Sequence, residues 1–380
     1  MKVRMKIGIV NKNFSIGGVQ RVATEIAKSL SLNIGYEVDL IDFSGENFFF
    51  YKDFGRCKQV SNTAKRTFIE KISWHFKFSR YKIFNIQLHF TSTVKRQIKG
   101  LISILKKQKY DIIILCQGDM TALIPLLKKK LPQAKFIAWQ HNDYEIYFKK
   151  YYVSYLDEYK QGLELADCVV CLTNIYEEKF KRHNYNTVCI HNPITIASGK
   201  KSKLDSNKII FVGRLSIEHK GLDLLLEIVE LSSEKWEWLL AGEGNGRAYL
   251  ESEIKKRKLK SKITLTGALE KNALIKHFQS GAVYVSPSRW EGMSLVIIEA
   301  MSFGLPVVAF DIPGTRETLD DGRCGILIEK YDIKKFCEQI ENLMSDKALR
   351  KHYQFASLER VKDFSLESIT LQWKKLIELL

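Results

Sequence analysis

The sequence has no uninterrupted apolar run of about 18 residues, the length that a membrane-crossing helix needs. Residues 1–10 hold only a short apolar run without a cleavage site, so they predict a first β-strand and not a signal peptide. The seven cysteines are an odd number scattered through apolar segments, which favours a reducing cytoplasm. The sequence therefore argues against a membrane-spanning protein and against a disulfide-stabilised secreted domain.

Cys168 and Cys171 have the spacing of half a metal site, but the surrounding segment has the pattern of a buried strand. Side chains three residues apart on a strand face opposite sides of the sheet, so the two thiols are badly placed to share an ion. No second pair of Cys or His residues follows at a ligand spacing. We therefore expect both cysteines to be structural.

Apolar segments alternate with amphipathic ones along the whole chain. With 380 residues, 45% apolar and 27% charged, the chain has the size and composition of two globular domains. Near-continuous apolar strands separated by helices are typical of parallel sheets covered on both faces, so the predicted fold class is α/β with two doubly wound parallel sheets. Strands are predicted at 5–11, 36–43, 111–117, 135–141, 167–173 and 188–192, and again at 209–214, 236–241, 263–266, 283–287, 307–310 and 325–328. Helices are predicted at 18–30, 93–107 and 120–129, among others.

The polar, lysine- and serine-rich segment 196–206 predicts the boundary between the domains. We place the N-terminal domain at 1–195 and the C-terminal domain at 206–362. Residues 363–380 predict an amphipathic C-terminal helix, which could dock on either domain.

The formal charge of +17 is concentrated in one window. Residues 52–109 contain fifteen Lys and Arg residues against Asp53 and Glu70. Aromatic residues are interleaved with them, including Phe68, Trp74, Phe76, Phe78, Tyr81, Phe84 and Phe90. Such a surface suits an anionic membrane face or another polyanion. It is equally consistent with a solvated charged face over helices whose aromatic residues fill the core, and both interpretations stay open.

Glu291 and Glu299 stand eight residues apart, one before and one within a predicted apolar helix. The N-terminus of a helix presents free N–H groups and the positive end of the helix dipole to an anion. Carboxylates on either side have the wrong sign for a bare phosphate. They suit a ligand that offers phosphates to the amides and hydroxyls to the carboxylates, and a nucleotide-sugar is such a ligand.

Other candidate residues follow predicted strands, at the sheet edge where ligands of open α/β sheets bind. Gly17 and Gly18 lie between a strand and a helix, which is the layout of a phosphate-binding turn, although any tight turn needs glycine. Arg214 and Lys220 are two cations placed to hold a diphosphate. A lone histidine is more often structural, but His141 ends a strand at this edge, which favours a functional role.

The combination resembles the family 4 retaining glycosyltransferases, which are built from two Rossmann-like domains facing across a cleft, the GT-B fold. The resemblance covers nearly the whole chain and is strongest over residues 209–328. It is carried by Gly213-Arg214-Leu215, Lys220-Gly221, Ala241-Gly242-Glu243-Gly244, Thr266-Gly267 and Pro287-Ser288 with the Glu-x7-Glu run that follows.

The resemblance implies a role for each candidate residue. In the catalytic set, Arg214 and Lys220 would hold the diphosphate and Glu291 would bind sugar hydroxyls. The last member, His141, would steady the donor sugar in the transition state. In the donor-binding set, Glu299 would contact the ribose and Leu269 the base. The remaining members would contribute backbone amides, and they are Gly17, Gly18, Gly292, Met293, Ser294 and Leu295.

No Asp-x-Asp motif occurs in the sequence, so the usual signature of a metal-chelating donor site is missing and we expect neither metal nor other cofactor. Fixed cations and oriented amides can stabilise a departing diphosphate without a metal. The family transfers sugars with retention, commonly by same-face attack assisted by the leaving phosphate. Glu291 is therefore interpreted as a binding residue and not as a nucleophile.

Three positions depart from the family pattern. Met293 and Ser294 stand where many relatives carry an aromatic residue and a glycine, which alters the donor-sugar pocket. Asn142 follows His141 where relatives often have Asp. The identity of the donor sugar is thereby left open.

The expected function is transfer of a hexose from a UDP-sugar to a glycan acceptor, lipid-linked, in cell-surface polysaccharide synthesis. The expected location is cytoplasmic and peripheral on the inner face of the plasma membrane, through residues 52–109, with no nucleic-acid partner. One alternative is a nucleotide-sugar epimerase of the same fold. Another is a non-catalytic protein that binds polyanions or membranes through charge alone.

Overall fold

The computed structural model describes residues 4–84, 86–196 and 199–380. Parts of three sequence predictions lie outside the described residues: 1–3 of the first segment, 85 of the basic window and 197–198 of the boundary segment. The chain divides into two compact units. Unit 1 comprises residues 1–193 and 366–380, and unit 2 comprises residues 194–365. Among the described residues, no helix combines the length and apolarity needed to cross a membrane.

Unit 1 is built on a seven-stranded sheet in which all described neighbours pair in parallel. Its strands are β1 (Met5–Asn11), β2 (Tyr36–Asp42), β3 (Lys58–Ser61), β4 (Ile112–Cys116), β5 (Lys135–Trp139), β6 (Cys168–Cys171) and β7 (Thr187–Cys189). They lie in the order β3-β2-β1-β4-β5-β6-β7. Strands β4 and β6 are buried along their whole length, as expected where helices cover both faces of a parallel sheet.

The helices of unit 1 connect these strands. They are α1 (Gly18–Ser31), α2 (Phe68–Phe84), α3 (Phe90–Thr93), α4 (Lys95–Gln108), α5 (Gln117–Thr121), α6 (Ile124–Lys130), α7 (Tyr144–Ile146), α8 (Leu156–Leu165) and α9 (Asn174–Phe180). A π-helical turn at Tyr147–Tyr151 and a 3-10 turn at Val153–Tyr155 join α7 to α8. Helix α1 shows why these segments are helical: it buries Val22, Ile26 and Leu30, four residues apart, against the sheet.

Unit 2 repeats the plan with a six-stranded sheet whose described neighbours also pair in parallel. Its strands are β8 (Lys208–Val212), β9 (Glu237–Ala241), β10 (Ile263–Gly267), β11 (Val283–Ser286), β12 (Val307–Phe310) and β13 (Ile326–Ile328). The order is β10-β9-β8-β11-β12-β13, which is the strand order of a Rossmann sheet. The predicted fold class, two doubly wound parallel sheets, is therefore confirmed.

The helices of unit 2 are α10 (Ile217–Lys220), α11 (Leu222–Leu231), α12 (Arg247–Lys256), α13 (Lys271–Ser280), α14 (Leu295–Ser302), α15 (Pro313–Thr318), α16 (Ile333–Ser345) and α17 (Lys347–Arg360). Short 3-10 turns follow at Asp320–Gly322 and Val361–Phe364. The last helix, α18 (Leu366–Leu379), belongs to unit 1. There Trp373 is fully buried, with its ring 4.6 Å from that of Trp139.

Two features of unit 1 differ from the sequence predictions. Strand β3 was not predicted, because it is an edge strand with exposed Lys58 and Gln59 and carries no apolar pattern. The predicted helix at 120–129 is interrupted, since α5 begins earlier, at Gln117, and ends before α6 starts. Gln117 has a left-handed backbone (φ 70°), which sets the sharp turn out of β4.

Cys168 and Cys171 occupy β6 and are both buried. Burial raises the pKa of the Cys168 thiol to about 12, so this thiol stays protonated at neutral pH. A protonated, buried thiol is inert, which agrees with the structural role expected for the pair.

Candidate functional site

Both sheets have a point where the strand order reverses, at β1 and β4 in unit 1 and at β8 and β11 in unit 2. Ligands of open parallel sheets bind beside the carboxyl ends of the strands at such a point. Gly17 and Gly18 follow β1 at the start of α1, Arg214 and Lys220 follow β8 in the loop and in α10, and the loop after β11 carries Glu291. The topology therefore places these predicted residues at the ligand-binding edge of their own sheets.

Glycines let the loops of unit 2 approach each other backbone to backbone. Gly242 has φ 148°, and a Cβ there would lie 1.8 Å from the carbonyl oxygen of Gly213. Gly221 has φ 61°, and a Cβ there would lie 2.0 Å from the carbonyl oxygen of Pro287. Both positions need glycine for conformation and for space. Lys220 is consequently held against the loop that follows β11.

Lys220 and Glu291 form an ion pair although they are 71 residues apart in sequence, with Nζ 2.5 Å from Oε1. Both side chains are nearly buried. Burial alone would raise the pKa of Glu291, but the positive charge of Lys220 and the neighbouring imidazole of His219 outweigh it and hold this pKa well below the usual value of 4.5. Glu291 is therefore an ionised, acceptor-only group at physiological pH.

His219 was not among the predicted site residues. Its Nε2 lies 3.7 Å from Oε2 of Glu291, and its ring stacks on Trp290 with the centroids 4.9 Å apart. The sequence signal was available, since His219 precedes Lys220 and Trp290 precedes Glu291. The stacking brings the neighbours His219 and Lys220 next to the neighbours Trp290 and Glu291, which belong to a different segment.

A second ion pair fixes the loop after β11 to the start of α11. Both guanidinium Nη atoms of Arg289 donate to the carboxylate of Asp223, at 2.8 and 2.6 Å. The backbone N–H of Arg289 also donates to the carbonyl of His219 at 2.9 Å. Bidentate pairing gives directional rigidity, so these contacts orient the segment that carries Glu291. This positioning pair has no local sequence signal because its members are 66 residues apart.

Glu299 lies on the second turn of α14 and is 1% exposed. Its Oε1 accepts a hydrogen bond of 2.9 Å from the hydroxyl of Thr195. Tyr284, on β11, lies close enough to both site carboxylates that, after burial, the charges of Glu291 and Glu299 help to raise the pKa of its phenol. The two glutamates of the sequence motif thus contribute to one charged environment.

The N-terminus of α14 is formed by the remaining predicted donor-binding residues, which are Gly292, Met293, Ser294 and Leu295. All of them are buried. Ser294 is the N-cap residue and makes no side-chain capping bond. The first N–H groups of the helix are therefore left to bind a ligand or water.

Two predicted residues of unit 2 stand apart from this arrangement. Arg214 is exposed in the loop after β8, so its guanidinium is accessible to solvent. Leu269, after β10, is half-buried and packs against the core of the unit. Their proposed contacts with a diphosphate and a base stay predictions.

In unit 1, the predicted glycines lie between β1 and α1. Gly17 is the N-cap of α1 with an extended backbone, and Gly18 is the exposed first residue of the helix. The hydroxyl of Tyr51 donates to the carbonyl of Gly17 at 3.2 Å. The same hydroxyl lies 3.5 Å from the Gly17 N–H, as an acceptor. Their role as phosphate-binding amides stays a prediction.

His141 follows β5, with its ring 4.3 Å from that of Trp139. Its backbone N–H donates to the hydroxyl of Tyr147 at 3.1 Å. Among the described residues its Nε2 has no hydrogen-bond partner. Burial lowers the pKa of His141 to about 3, so the imidazole is neutral at physiological pH. A neutral imidazole can orient a hydroxyl without adding charge.

Two family models match the chain, one in each half. The model described as "Glycosyltransferase Family 4" matches residues 16–198, and the one described as "Glycosyl transferases group 1" matches residues 195–358. Together they cover the candidate residues of both units.

Curated relatives and solved structures match over the full length. An uncharacterized glycosyltransferase of Haemophilus influenzae is 27% identical, over 98% of this chain and 99% of that protein. The "GalNAc-alpha-(1->4)-GalNAc-alpha-(1->3)-diNAcBac-PP-undecaprenol alpha-1,4-N-acetyl-D-galactosaminyltransferase" of Campylobacter jejuni is 23% identical over 98% of both chains. The structure of Anabaena HepE in complex with UDP superimposes with a TM-score of 0.75 at 15% identity, covering 99% of this chain and all of that one.

Proposed function

The chain belongs to the family 4 glycosyltransferases and has their GT-B fold, and from this premise we propose that it transfers a hexose, with retention, from a UDP-sugar to a lipid-linked glycan. Glycosyltransferase activity follows from the family; the donor, the stereochemistry and the acceptor are the proposal. The observation that carries it is the buried Lys220–Glu291 pair. It lies in unit 2, which also holds the open N-terminus of α14 and the buried carboxylate of Glu299.

Each group in this set matches one part of a nucleotide-sugar. The ammonium of Lys220 and the N–H groups of α14 are donors suited to phosphate oxygens. The ionised carboxylate of Glu291 and the buried carboxyl group of Glu299 offer acceptor oxygens suited to hydroxyls of a sugar and a ribose. UDP is the ligand of Anabaena HepE, which supports uridine as the base here.

The proposed reaction breaks the bond between the anomeric carbon and the diphosphate oxygen. Negative charge then grows on the diphosphate, where Lys220, Arg214 and the amides before and within α14 stabilise it. The acceptor hydroxyl attacks the same face of the sugar, and its proton passes to the departing phosphate oxygen. Glu291 binds the sugar hydroxyls, while the neutral His141 steadies the sugar.

No residue in this scheme needs a divalent cation. Lys220 supplies a fixed positive charge, and Glu291, the carboxylate closest to the helix N-terminus in sequence, is already paired with it. We therefore propose a metal-independent reaction, which predicts that EDTA leaves the initial rate unchanged. Mg²⁺-dependent activity would contradict this part of the proposal.

A nucleotide panel tests the donor. UDP and UDP-sugars should raise the melting temperature of the protein and GDP and ADP should not, since a ligand that binds only the folded state stabilises it. Glu299→Ala should weaken UDP binding by about 10- to 100-fold, because the acceptor of a hydrogen bond from the ribose is lost. Isothermal titration measures this, with Glu338→Ala, an exposed glutamate of α16, as the control. Selective stabilisation by GDP or unchanged UDP affinity in Glu299→Ala would contradict the assignment.

An assay without acceptor distinguishes a transferase from the alternative, an epimerase. A transferase should only hydrolyse its UDP-sugar slowly, whereas an epimerase should convert it to a second UDP-sugar. Product analysis after incubation with donor alone distinguishes the two outcomes.

Association with an anionic membrane is also part of the proposal, and α2 supports it. Ile72, Phe76 and Ile83 are spaced to share one face of this helix and are 53, 66 and 72% exposed. They lie in the basic window 52–109. Exposed apolar side chains in a basic segment are typical of helices that lie in the membrane interface. The relative from Campylobacter jejuni, whose name gives an undecaprenol-linked substrate, supports a lipid carrier as acceptor.

Replacing Ile72, Phe76 and Ile83 together by Glu should reduce binding to vesicles that contain phosphatidylglycerol by at least tenfold, because both apolar burial and charge attraction are lost. Co-sedimentation measures this, and wild-type binding should weaken as salt increases. Ile34→Glu is the matched control, since Ile34 is equally exposed but outside the window. Equal vesicle binding by the triple variant would mean that the window is only a solvated face.

A further inference from the structure

The hydroxyl of Ser294 is buried and makes no hydrogen bond to the described residues. The residue is 4% exposed, and within the described part of the chain its Oγ has no hydrogen-bond partner. A serine before a helix ordinarily turns its oxygen back onto an N–H of the first turn. Here the backbone carbonyl of Ser294 accepts from the N–H groups of Ile297 and Ile298 at 3.2 and 3.3 Å, and the side chain makes no capping bond.

The other buried serines in the described part of unit 2 have hydrogen-bonded hydroxyls. Ser302, at the far end of α14, donates to the carbonyl of Glu299 at 2.7 Å. Ser357 donates to the carbonyl of Cys324 at 3.2 Å, and Ser202 to that of Gly281 at 2.6 Å. A buried hydroxyl without a partner destabilises the folded protein, so such a group needs a specific explanation. Ser294 is the exception, and it stands at the helix N-terminus.

The position of Ser294 offers that explanation. It lies in the buried segment 290–295, three residues after Glu291, which is paired with Lys220. The N–H groups of the first turn of α14 follow directly. A hydroxyl at this place adds a rotatable donor and acceptor to a set of fixed amides.

We propose that the Ser294 hydroxyl hydrogen-bonds the bound donor, at a phosphate oxygen or a sugar hydroxyl, and so acts as a specificity-determining residue distinct from the backbone amides of this segment. The inference rests on the proposed function, because it takes a nucleotide-sugar as the ligand of unit 2. The hydroxyl is left without a partner in the ligand-free protein and gains one when the donor binds. Part of the donor affinity is then the relief of an existing destabilisation.

This role makes two effects of Ser294→Ala opposite in sign. The ligand-free variant should melt about 2–4 °C higher than the wild type, since it no longer buries an unpaired hydroxyl. The same variant should bind the donor about 5- to 30-fold more weakly, because the hydrogen bond to the ligand is lost. A group with a purely structural role cannot produce this pair of effects, since its removal lowers stability.

Differential scanning fluorimetry and isothermal titration measure both effects, with UDP and with UDP-glucose and UDP-N-acetylglucosamine as probes. Weaker binding of UDP itself assigns the hydrogen bond to the diphosphate. Weaker binding of a UDP-sugar with unchanged UDP affinity assigns it to the sugar. Ser294→Thr, which keeps a hydroxyl, should retain more affinity than Ser294→Ala.

Ser357→Ala is the matched control, since Ser357 is a fully buried serine of unit 2 whose hydroxyl is satisfied. It should melt lower than the wild type with unchanged affinity. A lower melting temperature in Ser294→Ala would show that its hydroxyl caps α14, and unchanged affinity for every probe would show that it does not reach the ligand; either result overturns the inference. If the wild type binds neither UDP nor any UDP-sugar, the proposed donor itself is wrong.

Discussion

Lys220→Ala is expected to reduce kcat by about 10³-fold, because a fixed positive charge at the departing diphosphate is removed. It is also expected to lower the free energy of unfolding by about 3–5 kcal/mol, since it leaves the buried carboxylate of Glu291 without its ion-pair partner. Steady-state kinetics with the UDP-sugar and urea unfolding followed by circular dichroism measure the two quantities.

The effects of the Lys220–Glu291 ion pair on stability and on catalysis can be measured separately. The double variant Lys220→Met, Glu291→Gln removes both charges with little change of volume, so it should recover most of the stability without recovering activity. Lys335→Ala is the control, because Lys335 forms an exposed ion pair with Glu338 that should contribute less than about 1 kcal/mol. If Lys220→Ala kept activity within tenfold of the wild type, Lys220 would not hold the diphosphate.

The pair also predicts a dependence of stability on pH. The pKa of Glu291 is lower in the folded protein than its ordinary value of 4.5, so its contribution is fully present above that value. The contribution is lost as the pH falls from about 4.5 through the folded pKa. The difference in melting temperature between wild type and Lys220→Met should therefore shrink on acidification below about pH 4.5.

His141→Ala is expected to reduce kcat by about 10²-fold with a smaller effect on donor affinity, because the imidazole is proposed to steady the sugar mainly in the transition state. Since burial lowers its pKa to about 3, His141 is neutral across the working range and should contribute no inflection near pH 6.5 to the rate profile. Rate profiles of wild type and variant between pH 5 and 8 should thus run parallel. A wild-type inflection near 6.5 that disappears in His141→Ala would contradict a neutral role.

The low pKa of His141 also makes the stability of the protein depend on pH. The unfolded protein takes up the proton near pH 6.5 and the folded protein only near 3, so acidification through this interval favours unfolding. His141→Ala should remove that part of the pH dependence. His89→Ala, at an exposed histidine of unit 1, should leave both the rate and this slope unchanged.

Much of the fold could be predicted because its signals are local. The β-branched strands of a parallel sheet are buried on both faces, so they read as apolar runs in the sequence, as β1 and β12 show. Edge strand β3 was missed because its residues face solvent and follow no apolar pattern. The break before α6 lies at Ala122 and Leu123, and its sequence signal is Pro125, which stands in the first turn of α6.

By itself, the sequence determined the two doubly wound sheets, the loops that follow their strands and the residue types available there. Only the tertiary structure decided which of those residues meet. Side chains from distant segments form the Lys220–Glu291 and Arg289–Asp223 ion pairs. Packing also buries the Ser294 hydroxyl without a hydrogen-bond partner among the described residues. Pairing and burial are properties of the packed chain, because they depend on distances that the spacing of residues along the sequence does not fix.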